Sequence, residues 1–144
     1  MAKRRRGSMT GRLPGRPPTP SDRVHRGFEL LVERALAGIP APFSDALREV
    51  AVVIEDEPSR RLLVENDLDP DDDTLYGLYE GVPRLEWGAD SVPMPNKITL
   101  FRIPLQEDFP HPDDLADEVR ITVIHELAHH LGIDDDRLEE LGVD

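Results

Sequence analysis

The sequence contains no cysteine. This absence excludes a disulfide framework, a thiolate zinc finger, an iron–sulfur cluster and a cysteine nucleophile. No apolar run approaches the roughly 18 residues of a membrane span, and the basic start of the chain lacks the apolar segment of a secretory signal. We therefore expect a cytoplasmic protein without a membrane partner, in which any metal site uses nitrogen and oxygen ligands.

Basic residues are scarce and unevenly placed: 17 Lys and Arg stand against 30 Asp and Glu, for a net charge of −13. Residues 1–26 carry +7 and residues 27–144 carry −20. The first segment has almost nothing to bury, so we expect a disordered basic arm followed by one domain over residues 27–144. The arm is either a solubilising tail, which we favour, or a nucleic-acid arm. The acidic domain repels phosphates, so we expect no nucleic-acid partner.

The apolar spacing predicts a mixture of helices and strands. A helix begins at Phe28 and ends near Gly38, and a short helix covers residues 42–48. The unbroken apolar run at residues 50–54 predicts a buried strand. A second strand covers residues 98–103 and ends at Pro104.

The C-terminal third of the sequence predicts one long helix and one short one. Helical spacing of apolar residues continues from the acids after Pro112 to Leu131, and Gly132 stands where a left-handed helix end is expected. A final helix covers residues 137–141, with Asp136 as its N-cap in a capping-box arrangement.

The long helix contains His125 and His129 with Glu126 directly after the first histidine. Residues four apart share a helical face, so both imidazoles reach one zinc ion. Glu126 then lies beside the metal, where a carboxylate takes a proton from zinc-bound water and passes it to a leaving amine. This pattern predicts a catalytic zinc site with Glu126 as general base.

A zinc site of this kind needs a third protein ligand. Asp135 stands ten residues after His125, where the longer H-E-x-x-H-x-x-G-x-x-H pattern has its third histidine, and Gly132 supplies the turn. We assign Asp135 as this ligand, although it could instead cap the final helix. His130 is rotated by about 100° from His129, which favours a packing or supporting role over ligation.

The sequence resembles the small bacterial zincin-like proteins, a minimal metallopeptidase-like family with an HExxHxxGxxD motif. The resemblance lies in FELLVERAL, VAVVIEDEP, GLYEGVP, NKITLFRIPL and above all DEVRITVIHELAHHLGIDDDRLEELG. It implies an α+β fold of the minimal zincin type, with a small mixed sheet packed on a metal-binding helix. It also implies one Zn²⁺ ion bound by His125, His129 and Asp135, with Glu126 as base.

Few residues follow Asp135, so we expect an open cleft that a partner or oligomer completes. A peptide or protein substrate could add as a strand, for which residues 83–88 are our candidate edge. Tyr76 and Tyr79 are candidate oxyanion donors by loop position alone, and a packing role is favoured for both.

A zinc-dependent peptidase is the leading interpretation. The alternative is a non-catalytic module that zinc stabilises for interaction with a partner. A third interpretation, a zinc-dependent ribonuclease with an H-x-x-x-H-x-x-G-x-D-H signature, fits less well. That signature has Gly at the position of Glu126 and His at the position of Asp136.

Overall fold

The computed structural model describes residues 17–81 and 96–142 of the chain. These residues form six α-helices, one short 3₁₀ helix and three β-strands. The helices are α1 (Pro20–Ala37), α2 (Phe43–Ala46, continued by the 3₁₀ turn Leu47–Glu49), α3 (Arg60–Glu65), α4 (Arg102–Asp108), α5 (Pro112–Leu131) and α6 (Asp135–Leu141). The strands are β1 (Ala51–Glu55), β2 (Gly77–Glu80) and β3 (Lys97–Phe101).

The three strands form one mixed sheet in the order β1-β3-β2. β1 runs parallel to β3, with Val53 opposite Thr99, whereas β2 runs antiparallel to β3, with Leu78 opposite Thr99. The α+β class with a small mixed sheet is therefore confirmed. The central strand β3 is buried, but β1 is only partly buried because it lies at an edge. The prediction of a fully buried strand there is wrong, since its apolar run reflects one packed face and one exposed edge.

The core lies between the sheet and the two longest helices. α1 contributes Phe28, Val32 and Ala35, which join apolar residues of α5 and β3 in one cluster. Burial of each large apolar side chain stabilises the fold by about 1.5–3 kcal/mol. No helix in the described ranges has the length and apolar character needed to cross a bilayer.

Helix α1 begins at Pro20, not at Phe28 as the apolar spacing predicts. Thr19 is the N-cap: its hydroxyl accepts the Asp22 N–H at 3.0 Å, and the Asp22 carboxylate accepts the Thr19 N–H at 2.9 Å. This capping box stabilises the first turn without any apolar residue. Residues 20–26, which the composition assigns to a disordered arm, are therefore helical. Residues 1–16 lie outside the described ranges, and the disorder expected for them stays a prediction.

Helix α5 confirms the long helix predicted from the sequence. The His111 imidazole accepts the Asp113 N–H at 3.2 Å at its start. At its end Gly132 has φ +73°, in the left-handed region, and the Ile133 N–H donates to the Ala128 carbonyl at 2.8 Å. This Schellman-type ending turns the chain back sharply after the second histidine.

The N-cap of helix α6 is Asp134, whose carboxylate accepts the Arg137 N–H at 2.9 Å. The prediction that Asp136 is the cap is wrong. The turn at Gly132 lets the helix start two residues earlier than predicted, which places Asp135 and Asp136 in its first turn. Negative side chains there interact favourably with the helix dipole.

The strand predicted to reach Ile103 ends instead at Phe101, because α4 follows immediately. Pro104 lies in the first turn of α4, where its missing N–H has no helical partner to lose. The Ile103 N–H donates to the Asp56 carbonyl at 2.9 Å and ties the start of α4 to the end of β1.

Tyr76, just before β2, fixes that strand to the end of α4. Its hydroxyl donates to the Asp108 carboxylate, and its ring contacts Phe109 edge-on with centroids 5.6 Å apart. The hydrogen bond to Asp108, followed by burial, raises the pKa of Tyr76 to about 12. The neutral phenol is therefore the form that the folded state favours.

Gly27 should be a site at which the fold can be stabilised. It lies inside α1 on a groove of about 720 Å³ between α1 and α5, and a Cβ built there meets nothing within 4 Å. Alanine is about 1 kcal/mol better than glycine in a helix interior. We expect Gly27→Ala to raise the free energy of unfolding by about 0.5–1 kcal/mol in urea denaturation. Gly132→Ala is the control and should lower it, because φ there is +73°. A Gly27→Ala protein no more stable than wild type would contradict this account of α1.

The Tyr76–Asp108 contact should make the free energy of unfolding decrease as the pH rises through the alkaline range. Because the pKa of Tyr76 is raised from 10.0 in the unfolded chain to about 12 in the folded one, the contact stabilises fully below pH 10. That contribution is lost as pH rises through about 12. Tyr76→Phe should therefore be less stable than wild type in urea denaturation below pH 10, with the difference shrinking toward pH 12. A difference that stays constant across this range would show that the phenol proton is not involved.

Candidate active site

The predicted site residues His125, Glu126 and His129 lie in the last two turns of α5. The two histidines are four residues apart and share one face of the helix. His125 is half-buried, and the His129 side chain is 62% exposed. The neighbouring face is buried in the core through Val123 and Leu127, so packing on that side holds the helix that carries the histidines.

Glu126 lies between the histidines and is the best-anchored of the predicted site residues. Its Oε1 accepts the main-chain N–H of Tyr79 at 2.8 Å and is 3.7 Å from His129 Nδ1. Its side chain is only 16% exposed. Burial raises the pKa of the Glu126 carboxyl, while the Tyr79 N–H and the two imidazoles lower it in part. The net shift is upward, which makes the carboxylate a stronger base than an exposed glutamate.

Asp135 is the first residue of α6 and is exposed. The structure does not bring it together with the two histidines: within residues 17–81 and 96–142, no three His, Asp or Glu side chains are arranged to hold a metal ion. Within the described residues the two imidazoles share one face of α5, but there is no assembled three-ligand site.

The donor chemistry of the three residues nevertheless fits zinc. Two imidazoles and one carboxylate are a common ligand set, and a short turn at Gly132 connects the histidines to Asp135. Within the described part of the chain, the side chains of His125 and Asp135 form no hydrogen bond. All three side chains are at least partly exposed, so they can change rotamer without opening the core.

His130 has the packing role that its position on the helix predicts. It is fully buried, with Nδ1 3.0 Å from the Tyr79 hydroxyl and Nε2 3.4 Å from Glu49 Oε2. The Tyr79 and His130 rings are also in contact, with centroids 5.7 Å apart. The Tyr79 hydroxyl lies 3.2 Å from Asn96 Oδ1 as well. Both ring nitrogens of this buried histidine therefore have a polar neighbour.

Glu49, Asn96 and the main chain of Tyr79 are residues of this site that the sequence does not reveal. They come from the 3₁₀ turn, the residue before β3, and β2, and no spacing in the sequence connects them to the H-E-x-x-H motif. The hydroxyls of Tyr76 and Tyr79 contact Asp108 and His130 respectively, which agrees with packing roles rather than oxyanion binding. The candidate substrate edge at residues 83–88 lies outside the described residues.

β2 approaches α5 unusually closely beside this site. A Cβ added to Gly77 would be 2.6 Å from Thr122 Cγ2 and 3.2 Å from the Thr99 carbonyl oxygen. Only glycine lets the strand lie against the helix at this distance. The close packing explains how a main-chain N–H of β2 reaches a side chain of α5.

Comparison with known proteins identifies the family of this chain. A family model described as zincin-like metallopeptidase matches residues 47–143, a span that contains the sheet and the helix with the two histidines. A search of curated proteins finds no relative that matches the sequence. Since the match covers more than half of the chain, the protein belongs to the zincin-like metallopeptidase family.

Proposed function

We propose that this protein is a zinc-dependent peptidase that hydrolyses peptide bonds, with Glu126 as general base and His125, His129 and Asp135 as the ligands of one zinc ion. The observation that carries the proposal is the setting of Glu126. Its carboxylate is mostly buried, has a raised pKa, lies beside two accessible imidazoles and is held by a main-chain N–H. Membership of the zincin-like metallopeptidase family supports the same reaction class.

When bound, zinc supplies a Lewis acid that polarises the substrate carbonyl and makes the attacking water more acidic. The two carboxylate oxygens of Glu126 have different roles, because Oε1 accepts the Tyr79 N–H. Oε2 is the atom that takes a proton from the attacking water and then delivers it to the leaving amine.

An extended peptide fits along β2, which is an edge strand of the described sheet. The Tyr79 N–H donates to Glu126, so β2 lies beside the proposed base, and a peptide at this edge would have to bond other main-chain groups of the strand. A peptide that adds to this edge therefore passes beside Glu126. The acidic character of residues 27–144 favours neutral or basic peptides. Because His129 and Asp135 are exposed, a protein partner or a second copy could complete the cleft.

The second candidate function is a non-catalytic module that zinc stabilises. One observation favours it: Asp135 belongs to a separate short helix, so a metal shared with His125 and His129 would pin α6 to α5. The ribonuclease interpretation is weakened by the family match.

Replacing the proposed base tests the mechanism. Glu126→Gln preserves the shape of the side chain but cannot accept the proton from water, so we expect peptide hydrolysis to fall by about 10²-fold or more with zinc content unchanged. Zinc content by metal analysis and cleavage of a peptide library by wild type and variant give the answer. Cleavage by the variant at the wild-type rate would refute the role of Glu126. A zinc-loaded wild type that cleaves no peptide, yet loses thermal stability on chelation, would support the non-catalytic module.

Asp135 and its neighbour Asp136 offer a matched pair for testing the third ligand. Both are exposed acids in the first turn of α6, so each change to alanine has the same effect on the helix and on net charge. We expect Asp135→Ala to weaken zinc binding by at least about tenfold in competition with a chelator, and Asp136→Ala to leave it near wild type. Equal effects of the two changes would remove Asp135 from the ligand set.

A further inference from the structure

Three residues of α5 form a stripe that faces strand β2: Thr122, Glu126 and His130. They are spaced four residues apart, so they lie on nearly the same face of the helix over two turns. Thr122 lies against Gly77, and Glu126 and His130 both contact Tyr79. The strand therefore runs along the stripe, with alternate residues meeting successive helical turns.

Tyr79 holds two members of this stripe at once. Its main-chain N–H donates to Glu126 Oε1 at 2.8 Å, and its hydroxyl is 3.0 Å from His130 Nδ1. The two contacts are separated by one turn of helix, about 6 Å along the axis. Since one residue is bound at both points, the strand can neither slide along the helix nor rotate without breaking one contact.

The anchor of this arrangement is a buried polar residue. His130 is fully buried, and burial of an imidazole is unfavourable unless its nitrogens have partners. Nδ1 faces Tyr79, and Nε2 faces Glu49, whose side chain is 26% exposed. An aliphatic residue would fill the same space but would offer no hydrogen-bonding partner to orient the Tyr79 hydroxyl. Besides filling the core, His130 therefore gives the Tyr79 hydroxyl a specific polar neighbour.

We propose that Tyr79 and His130 act together as positioning residues, which fix strand β2 on helix α5 and thereby hold the Glu126 carboxylate in its working orientation. Glu49 supports His130, and Gly77 allows the strand to approach. The inference rests on the proposed role of Glu126, but the alignment itself can be measured without any reaction. None of these residues belongs to the proposed ligand set.

The alignment is tested through the main-chain N–H of Tyr79. The chain has two tyrosines, so tyrosine-selective ¹⁵N labelling gives two amide signals. In His130→Leu, which keeps the bulk but removes both nitrogens, we expect the Tyr79 signal to shift and its hydrogen exchange to accelerate by at least about tenfold. The Tyr76 signal is the internal control and should not change. A folded His130→Leu protein with unchanged shift and exchange at Tyr79 would overturn the proposal.

A second pair of variants tests the same alignment without altering a buried histidine. Gly77→Ala places a methyl group 2.6 Å from Thr122 Cγ2, so it should push β2 outward and accelerate exchange at Tyr79. Adding Thr122→Ser deletes the methyl that Gly77→Ala meets most closely and should restore part of the protection, since the contact with the Thr99 carbonyl oxygen remains. If Gly77→Ala leaves Tyr79 protected, or Thr122→Ser rescues nothing, the close approach of the strand does not set the alignment.

Kinetics separate a positioning role from a purely structural one. Tyr79→Phe removes only the hydroxyl, so we expect kcat for a cleaved library peptide to fall about tenfold, with KM and zinc affinity within twofold of wild type. Tyr76→Phe is the matched comparison: it loses a hydroxyl that fixes the same strand to α4 instead of to His130, so it should lower stability but leave kcat near wild type. Equal losses in the two variants would contradict positioning. If wild type cleaves nothing, the proposed function fails while the exchange measurements still decide the alignment.

Discussion

A single helix must satisfy two opposite demands in this protein. One side of Pro112–Leu131 packs into the core, and the other presents polar side chains to solvent and to a strand. Most other elements, α1, α2, α4, β2 and β3 among them, contact this helix, so its position determines theirs. The polar side chains therefore project from the helix that most of the fold packs against, and precise placement of reacting groups requires such a support.

The polar contacts are distributed unequally around this helix. His129 faces solvent, Glu126 lies in a partly buried position, and His130 is enclosed completely. Three residues within one and a half turns thus experience very different surroundings. Because solvent exposure falls across the helix in this way, the imidazoles of His125 and His129 stay accessible, while burial raises the pKa of the Glu126 carboxyl beside them.

The sequence predicts well those features that depend on neighbouring residues. The long helix, its end at Gly132 and the shared face of His125 and His129 all follow from local spacing, and the structure contains them. The start of α1 was predictable in principle, because Thr19 and Asp22 form a capping box, but apolar spacing alone does not detect it. The edge position of β1 could not be read from its apolar run, since burial of a strand depends on its partners.

The long-range contacts could not be predicted at all. Tyr79 and Glu126 are 47 residues apart, and Glu49 and His130 are 81 apart. Nothing in the sequence joins them, because hydrogen bonds between distant segments are set by the tertiary fold. The arrangement of Asp135 shows the converse. Its place in the motif predicts a metal ligand, whereas the structure shows an exposed acid in the first turn of α6. A measurement of metal binding is needed to decide whether Asp135 is a ligand.

The match between Gly77–Tyr79 and the helix stripe has a consequence for tolerance of length changes. Two residues of a strand advance about 6.6 Å and four residues of a helix about 6 Å, so the two repeats stay nearly in step. Inserting or deleting one residue in β2 would reverse which side chains face the helix. Leu78 or Glu80 would then replace Gly77 or Tyr79, with a bulky group against Thr122 or the loss of the phenol that contacts His130. Related sequences should therefore keep a constant number of residues in this four-residue strand.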